Sequence, residues 1–202
     1  MKRIRFLVPA VLLIIAISLW AIQYNNINRY FNNTYPLALK CYEAGDVVPF
    51  EDNVLAGNEL NGYKIEVNRT QIMETSRFLE IHNISNHKFE NLPEKVCDVE
   101  LTIYNENSDA EGIYLPDLVL HGVDYQTDWN SDLMNILNSE MGGALGVSVP
   151  KGYEYTVHIV YNLRNMHFAT KTWENMDNYS LFIKVTDYPS RIDIKLTDIE
   201  YL

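Results

Sequence analysis

The chain has 202 residues, 16 basic against 27 acidic, and a formal net charge of -11. Without Lys2, Arg3 and Arg5 the remainder carries -14, so it lacks the basic surface that neutralises phosphates. Nucleic-acid binding and attraction to anionic lipid headgroups are both disfavoured, while solubility or a cationic partner is compatible with the charge.

Residues 1–5 hold those three basic side chains and read as a cytoplasmic tail. From Phe6 to Ile22 the chain is almost wholly apolar, and no Asp, Glu, Lys or Arg occurs between Arg5 and Arg29. A bilayer core of about 30 Å needs roughly 20 apolar residues in helical form. Residues 6–24 therefore read as a transmembrane signal-anchor helix, with Phe6, Leu13, Ile17 and Trp20 among its lipid-facing residues and Trp20 and Tyr24 at the outer aromatic belt. Basic residues before the span and acidic residues after it place the N-terminus in the cytoplasm and the rest outside the cell membrane. A cleaved secretory signal is the competing reading, with Ala16 and Ser18 as the small pair, but Leu19-Trp20-Ala21 is a poor cleavage site. Residues 25–36 are an Asn-rich juxtamembrane linker closed by Pro36.

Residues 37–202 are the size of one extracytoplasmic domain with a proper core. Tyr, Ile and Val are frequent there and the dominant period is two, the mark of half-buried strands. Val47 to Phe50 is a short first candidate. Asn61-Gly62 is a hairpin-type turn that leads into Tyr63, Ile65 and Val67. Phe78, Leu79 and Ile81 form a weaker strand. Val96 to Tyr104 is the clearest, with Val99, Leu101 and Ile103 opposed to Asp98, Glu100 and Thr102. The turn at 105–112 follows, and extended structure around Pro116 suits an edge. Tyr153 to Tyr161, Tyr179 to Val185 and Ile192 to Leu196 complete the set. One helix is expected, with Leu133, Ile136, Leu137 and Met141 on a shared face, Asn130 or Ser131 as its cap and Gly142 at its end. Seven to nine antiparallel strands with one connecting helix predict a mainly β immunoglobulin-like sandwich, with a closed barrel as the alternative.

The order of elements carries a resemblance. Asn61-Gly-Tyr-Lys-Ile-Glu-Val67 comes first, then Val99-Glu-Leu-Thr-Ile-Tyr-Asn-Glu-Asn-Ser108, then Val149-Pro-Lys-Gly-Tyr-Glu-Tyr-Thr-Val157. Over most of residues 43–198 the chain resembles uncharacterised membrane-anchored or lipoprotein-like proteins of Gram-positive bacteria with an immunoglobulin-like ectodomain. The resemblance implies a fold and a cell-envelope location, and no activity. The lipid-accepting cysteine of the lipoprotein members has no counterpart here, which favours the helical anchor.

Candidate sites are few. Asp128-Trp-Asn130-Ser-Asp132 has the first ligand positions of a calcium loop, with Asp124 nearby, but Leu133 and Ser139 stand where an EF-hand needs its glycine and bidentate glutamate. A looser calcium site competes with a helix cap enriched in acidic residues, and the cap is the preferred reading; no other cofactor is indicated. Glu106, Asp109 and Glu111 share one turn and read as a solvated loop. The histidines form no short zinc pair and read as scattered surface residues. Neither a nucleophile elbow nor a phosphate-binding glycine loop occurs, so the domain is expected to be a non-enzymatic protein-interaction module, with a small-ligand or calcium-binding envelope domain as the alternative and an assembled hydrolase site ranked last. Trp129 and Trp173 lie in polar loop contexts and are the candidate contacts for another envelope protein. Cys41 and Cys97 both fall at apolar positions of alternating segments, as a disulfide or as two buried thiols.

Overall fold

The computed structural model describes residues 13–26, 38–55, 57–85, 89, 91–122 and 124–202. The chain falls into two units that divide at Ala38 and Leu39. Of the first unit, residues 13–26 form helix α1. Leu13, Ile14, Ile15, Ile17, Leu19, Trp20 and Ile22 are exposed on it, and the Trp20 and Tyr24 rings stack at 5.3 Å. Phe6, the rest of the expected span before Leu13 and most of the linker lie outside the described residues. Among the described residues no helix is long and apolar enough to cross a membrane.

The second unit is mainly β. Its strands are β1 (Ala38–Glu43), β2 (Val48–Pro49), β3 (Val54–Leu55), β4 (Asn58–Glu59), β5 (Tyr63–Glu74), β6 (Lys95–Asn105), β7 (Ile113–Tyr114), β8 (Val119–His121), β9 (Gln126–Thr127), β10 (Gly146–Val147), β11 (Tyr153–Leu163), β12 (Phe182–Thr186), β13 (Ser190–Lys195) and β14 (Glu200–Tyr201). Three helices accompany them, α2 (Thr75–Ile81), α3 (Ser131–Leu137) and α4 (Thr170–Glu174). One large sheet runs β1-β13-β12-β8-β9 and the other β11-β6-β5-β14, with β2 also on β5, and β10-β7 and β3-β4 form two small two-stranded sheets. Strand β6 is the spine of the second sheet. It pairs antiparallel with β5 from Glu74↔Lys95 to Tyr63↔Asn105 and with β11 from Leu163↔Lys95 to Tyr153↔Asn105. The two-residue strand β14 departs from the rule and lies parallel to β5, opposite Gln71 and Ile72.

The sheets face one another across a common core. Val67, Val99, Leu101, Ile103, Val157 and Ile159 come from one; Leu120, Ile183, Val185, Ile192 and Ile194 from the other. Alternation explains both sets, since a strand sends every second side chain to one face. A second, smaller core lies on the outer face of the β5-β6-β11 sheet, where Phe78 and Leu79 of α2 and Leu133 of α3 cover Met73, Val96 and Val160. That covering explains why Val96, Cys97, Asp98 and Val99 are buried in succession on β6.

Four expectations change. The strands number fourteen among the described residues instead of seven to nine, because seven of them are two-residue pairs too short to show a period. The sheets remain open, so the closed barrel is not formed. Residues 75–81 are a helix and not a strand, since Thr75, Phe78 and Leu79 share a buried face at helical spacing while Arg77 and Glu80 pair outside. Finally, α3 ends at Leu137, before Gly142, because the Asn138 side chain turns back to the Met134 carbonyl at 2.8 Å.

Candidate functional site

Two segments meet at one end of the β domain. The first leaves β8, forms β9 and runs as Asp128–Asn130 beside the outer edge of β11. There the Asn130 N–H donates to the Val160 carbonyl at 2.6 Å, the Asn162 N–H donates to the Asp128 carbonyl at 2.8 Å, and Trp129 bridges Tyr161. The second segment, residues 164–178, carries a 3₁₀ turn at Asn165–His167 and then α4. The Thr172 hydroxyl donates to the Asp124 carboxylate at 2.7 Å and ties the two together. The Tyr125 and Phe168 rings lie 4.2 Å apart, and Phe168 reaches Trp173 at 5.4 Å. Aromatic rings at such separations add to the area they bury, so this end is a braced aromatic cluster.

A cavity of about 460 Å³ opens there. Its wall includes Trp129, Gln126, Asp128, His167, Tyr161 and Leu118. The Tyr161 hydroxyl donates to the Leu118 carbonyl at 2.7 Å, and the Thr127 hydroxyl donates to the Asn162 carbonyl, so the floor is internally satisfied. His167 Nδ1 is buried without a partner among the described residues.

The calcium candidates do not converge. Asp124 holds Thr172. Asn130 accepts from the Leu133 N–H at 3.0 Å as the cap of α3 and donates to the Asn162 side chain at 2.9 Å. Asp132 stands exposed in the first turn of α3, where the helix dipole favours a carboxylate, and Asp128 faces the cavity. Among the described residues no group of three or more His, Cys, Asp or Glu is gathered for a metal ion. The helix-cap arrangement is the one the side chains adopt.

Both tryptophans are half-buried against the main core despite their polar sequence contexts. Trp129 borders the cavity, while Trp173 packs at a tilt against Phe168 with the Lys95 ammonium 5.2 Å over its ring. The cysteines are free thiols. Cys97 is buried on β6, and burial pushes its thiol well above the usual range. Cys41 is exposed, against the expectation of two inward thiols. Tyr42 packs on the core from β1, so the odd positions of that strand face away from it.

Two polar clusters were not legible in the sequence. On β11, His158 Nδ1 lies 2.9 Å from the Asp98 carboxylate of β6, and its Nε2 lies 3.6 Å from Glu100, which also pairs with Arg69 at 3.4 Å. Burial lowers the His158 pKa, but the Asp98 hydrogen bond and the charges of Asp98 and Glu100 outweigh it, so the net shift is upward. On the other sheet, Arg191 Nε donates to both Asp193 oxygens at 2.9 and 3.1 Å, and its guanidinium lies 2.9 Å from His121 Nε2. Burial pushes the Asp193 carboxyl up, yet its contacts with His121 and Arg191 hold it below the usual carboxylate range. His158 and His121 are therefore bonded residues and not scattered surface histidines. The missing signal is the strand register, which sets His158 opposite Glu100 and one diagonal from Asp98.

The family model for a domain of unknown function, DUF5028, matches residues 39–192. The chain belongs to that family. No curated protein and no solved structure matches it. The DUF5028 match opens within β1 and closes within β13, so it takes in the aromatic end, the cavity and every strand from β2 to β12.

Proposed function

We propose that this DUF5028 protein is a membrane-tethered, non-enzymatic recognition module of the cell envelope, with its β domain outside and its N-terminus in the cytoplasm. The observation that carries the tether is helix α1, whose exposed apolar residues lie on every side of its axis, within the uncharged run that follows Lys2, Arg3 and Arg5 in the sequence. A helix apolar all round needs a non-aqueous surrounding. We read the two facing antiparallel sheets as an immunoglobulin-like sandwich that carries β14 as a parallel addition, in line with the resemblance to membrane-anchored Gram-positive ectodomains.

Recognition of another envelope protein is supported by the aromatic end. A half-buried tryptophan braced by a neighbouring ring, as Trp173 is by Phe168, offers large contact area at low entropic cost, the usual make-up of an interface hot spot. The acidic charge supports a protein partner over nucleic acid. The histidine–carboxylate pairs support a structural role over a catalytic one, since each is bonded within a sheet face. The test is crosslinking of the full-length protein in intact cells, followed by purification and mass spectrometry. One recurrent stoichiometric partner, lost in Trp173→Ala, is the expected result. Recovery of the chain with no stoichiometric companion overturns the reading.

A further inference from the structure

Beyond tethering and a protein partner, the cavity beside Trp129 has the chemistry of a small-ligand site. Three polar heads border it with nothing to hold among the described residues. Asp128 and Gln126 are exposed, and the half-buried His167 borders the cavity with its Nδ1 buried and unpartnered. These supply a charged acceptor, a combined donor and acceptor, and an imidazole able to do either. The fourth wall is the indole of Trp129, held by the β-bridge of its own backbone to Tyr161 and by packing on the main core. The floor beneath, Tyr161 and Thr127, is internally bonded and so does not compete for a ligand.

An apolar ligand would strand three polar groups, each at a desolvation cost. An anionic ligand would meet the Asp128 carboxylate with no cationic side chain on the wall to offset it. A ligand with one apolar face and a rim of neutral hydroxyl groups satisfies both walls. Its C–H face rests on the indole, while its hydroxyls donate to Asp128, exchange with Gln126 and bond the His167 imidazole. The size agrees, since about 460 Å³ falls within the roughly 300–1,000 Å³ of small-molecule sites. From this juxtaposition of a fixed indole with three unpartnered polar heads, we infer that the cavity binds a neutral pyranose ring of a glycan.

The test uses the full-length chain in lipid nanodiscs, because glycoside detergents would compete. Saturation-transfer NMR with N,N′-diacetylchitobiose, cellobiose and maltose reads binding directly, and titration gives the affinity. Saturable binding to at least one of the three is expected. It weakens about tenfold in Asp128→Asn, the loss of one hydrogen bond to a charged group, and by a similar factor in Gln126→Ala. Tyr153→Ala leaves it unchanged, since Tyr153 is exposed and is not on this wall. Absence of saturable binding to all three sugars, or binding indifferent to Asp128→Asn and Gln126→Ala, overturns the inference. Both substitutions sit at exposed side chains, so folding is preserved and a negative result is informative. The protein-partner reading is tested separately: a crosslinked partner that persists in Asp128→Asn stands or falls apart from the sugar.

Discussion

His158 shows how much one contact alters a side chain's behaviour. Its imidazole is bonded to a buried carboxylate, Asp98, and faced by Glu100 on its own sheet, with Arg69 beyond. His82, at the end of α2, also feels Asp98 and His158, and burial lowers its own pKa. From α3, Asn138 clamps the His158 backbone through both its amide and its carbonyl oxygen, at 2.8 and 2.9 Å. Because the folded pKa of His158 is raised, protonation favours the folded state. The stabilisation is complete below the unfolded histidine value of about 6.5 and is lost as pH rises through the folded value. The difference in melting temperature between the parent and His158→Gln is therefore expected to shrink from pH 5.5 to pH 8.5. A constant difference across that range would show that the contact does not favour the charged ring. Glycine is required at few positions; at Gly62, φ is +91° and a Cβ would stand 2.8 Å from the Ser108 nitrogen, so the turn before β5 admits nothing larger.

At the scale of elements, β6 carries the fold. It is hydrogen-bonded on both edges along its length and sends Val99, Leu101 and Ile103 into the main core, each fully buried. Leu101→Ala removes buried methyl groups from a site fixed by two neighbouring strands, so the cavity cannot collapse. A loss of roughly 2–5 kcal/mol in urea unfolding is expected. On the neighbouring strand β11, Tyr153 is 69% exposed, and Tyr153→Ala is expected to change stability by no more than about 0.5 kcal/mol. Equal effects of the two substitutions would place the core elsewhere. The long strands were legible because alternation persists over many residues, as in Val99, Leu101 and Ile103 or Val157 and Ile159. Helix α2 was not, since Phe78, Leu79 and Ile81 fit a short strand as well as a short helix. Only its docking over Met73 and Val96 decides between them. The outer edge of β11 is closed in the same non-local way, by Asp128–Asn130 along residues 160–162 and by Asn138 at His158. An edge so covered resists pairing with other chains.

The whole molecule combines a self-contained β unit, with its own two cores, and an apolar helix in a separate unit. If α1 continues the apolar run from Phe6 into lipid, the full-length protein stays with the membrane pellet after washing at alkaline pH. Ile17→Arg then weakens that retention, because an arginine near the centre of a span costs about 2.5–3.5 kcal/mol. Release of the parent protein by the wash would remove the tether from the reading. The candidate site belongs to this scale as well, because Asp124, Trp129, His167 and Trp173 come from two distant segments joined by one hydrogen bond and a row of rings. Residue types alone marked Trp129 and Trp173 as worth testing. They did not place one tryptophan on a cavity wall and the other beneath a lysine.

By itself the sequence determined the properties that are local or additive. These are the strand-forming period, the acidic balance, the apolar run and the cap at Asn130, each set by neighbouring residues or by a sum over the chain. Tertiary structure decided what depends on register and on contacts between distant segments. It turned Cys41 outward and buried Cys97, spent Asn130 on a cap and Asp124 on a tie, and joined His158 to Asp98. It also left Gln126, Asp128 and His167 around one cavity. Pairing across strands is fixed by which faces must be buried, and no single segment carries that information.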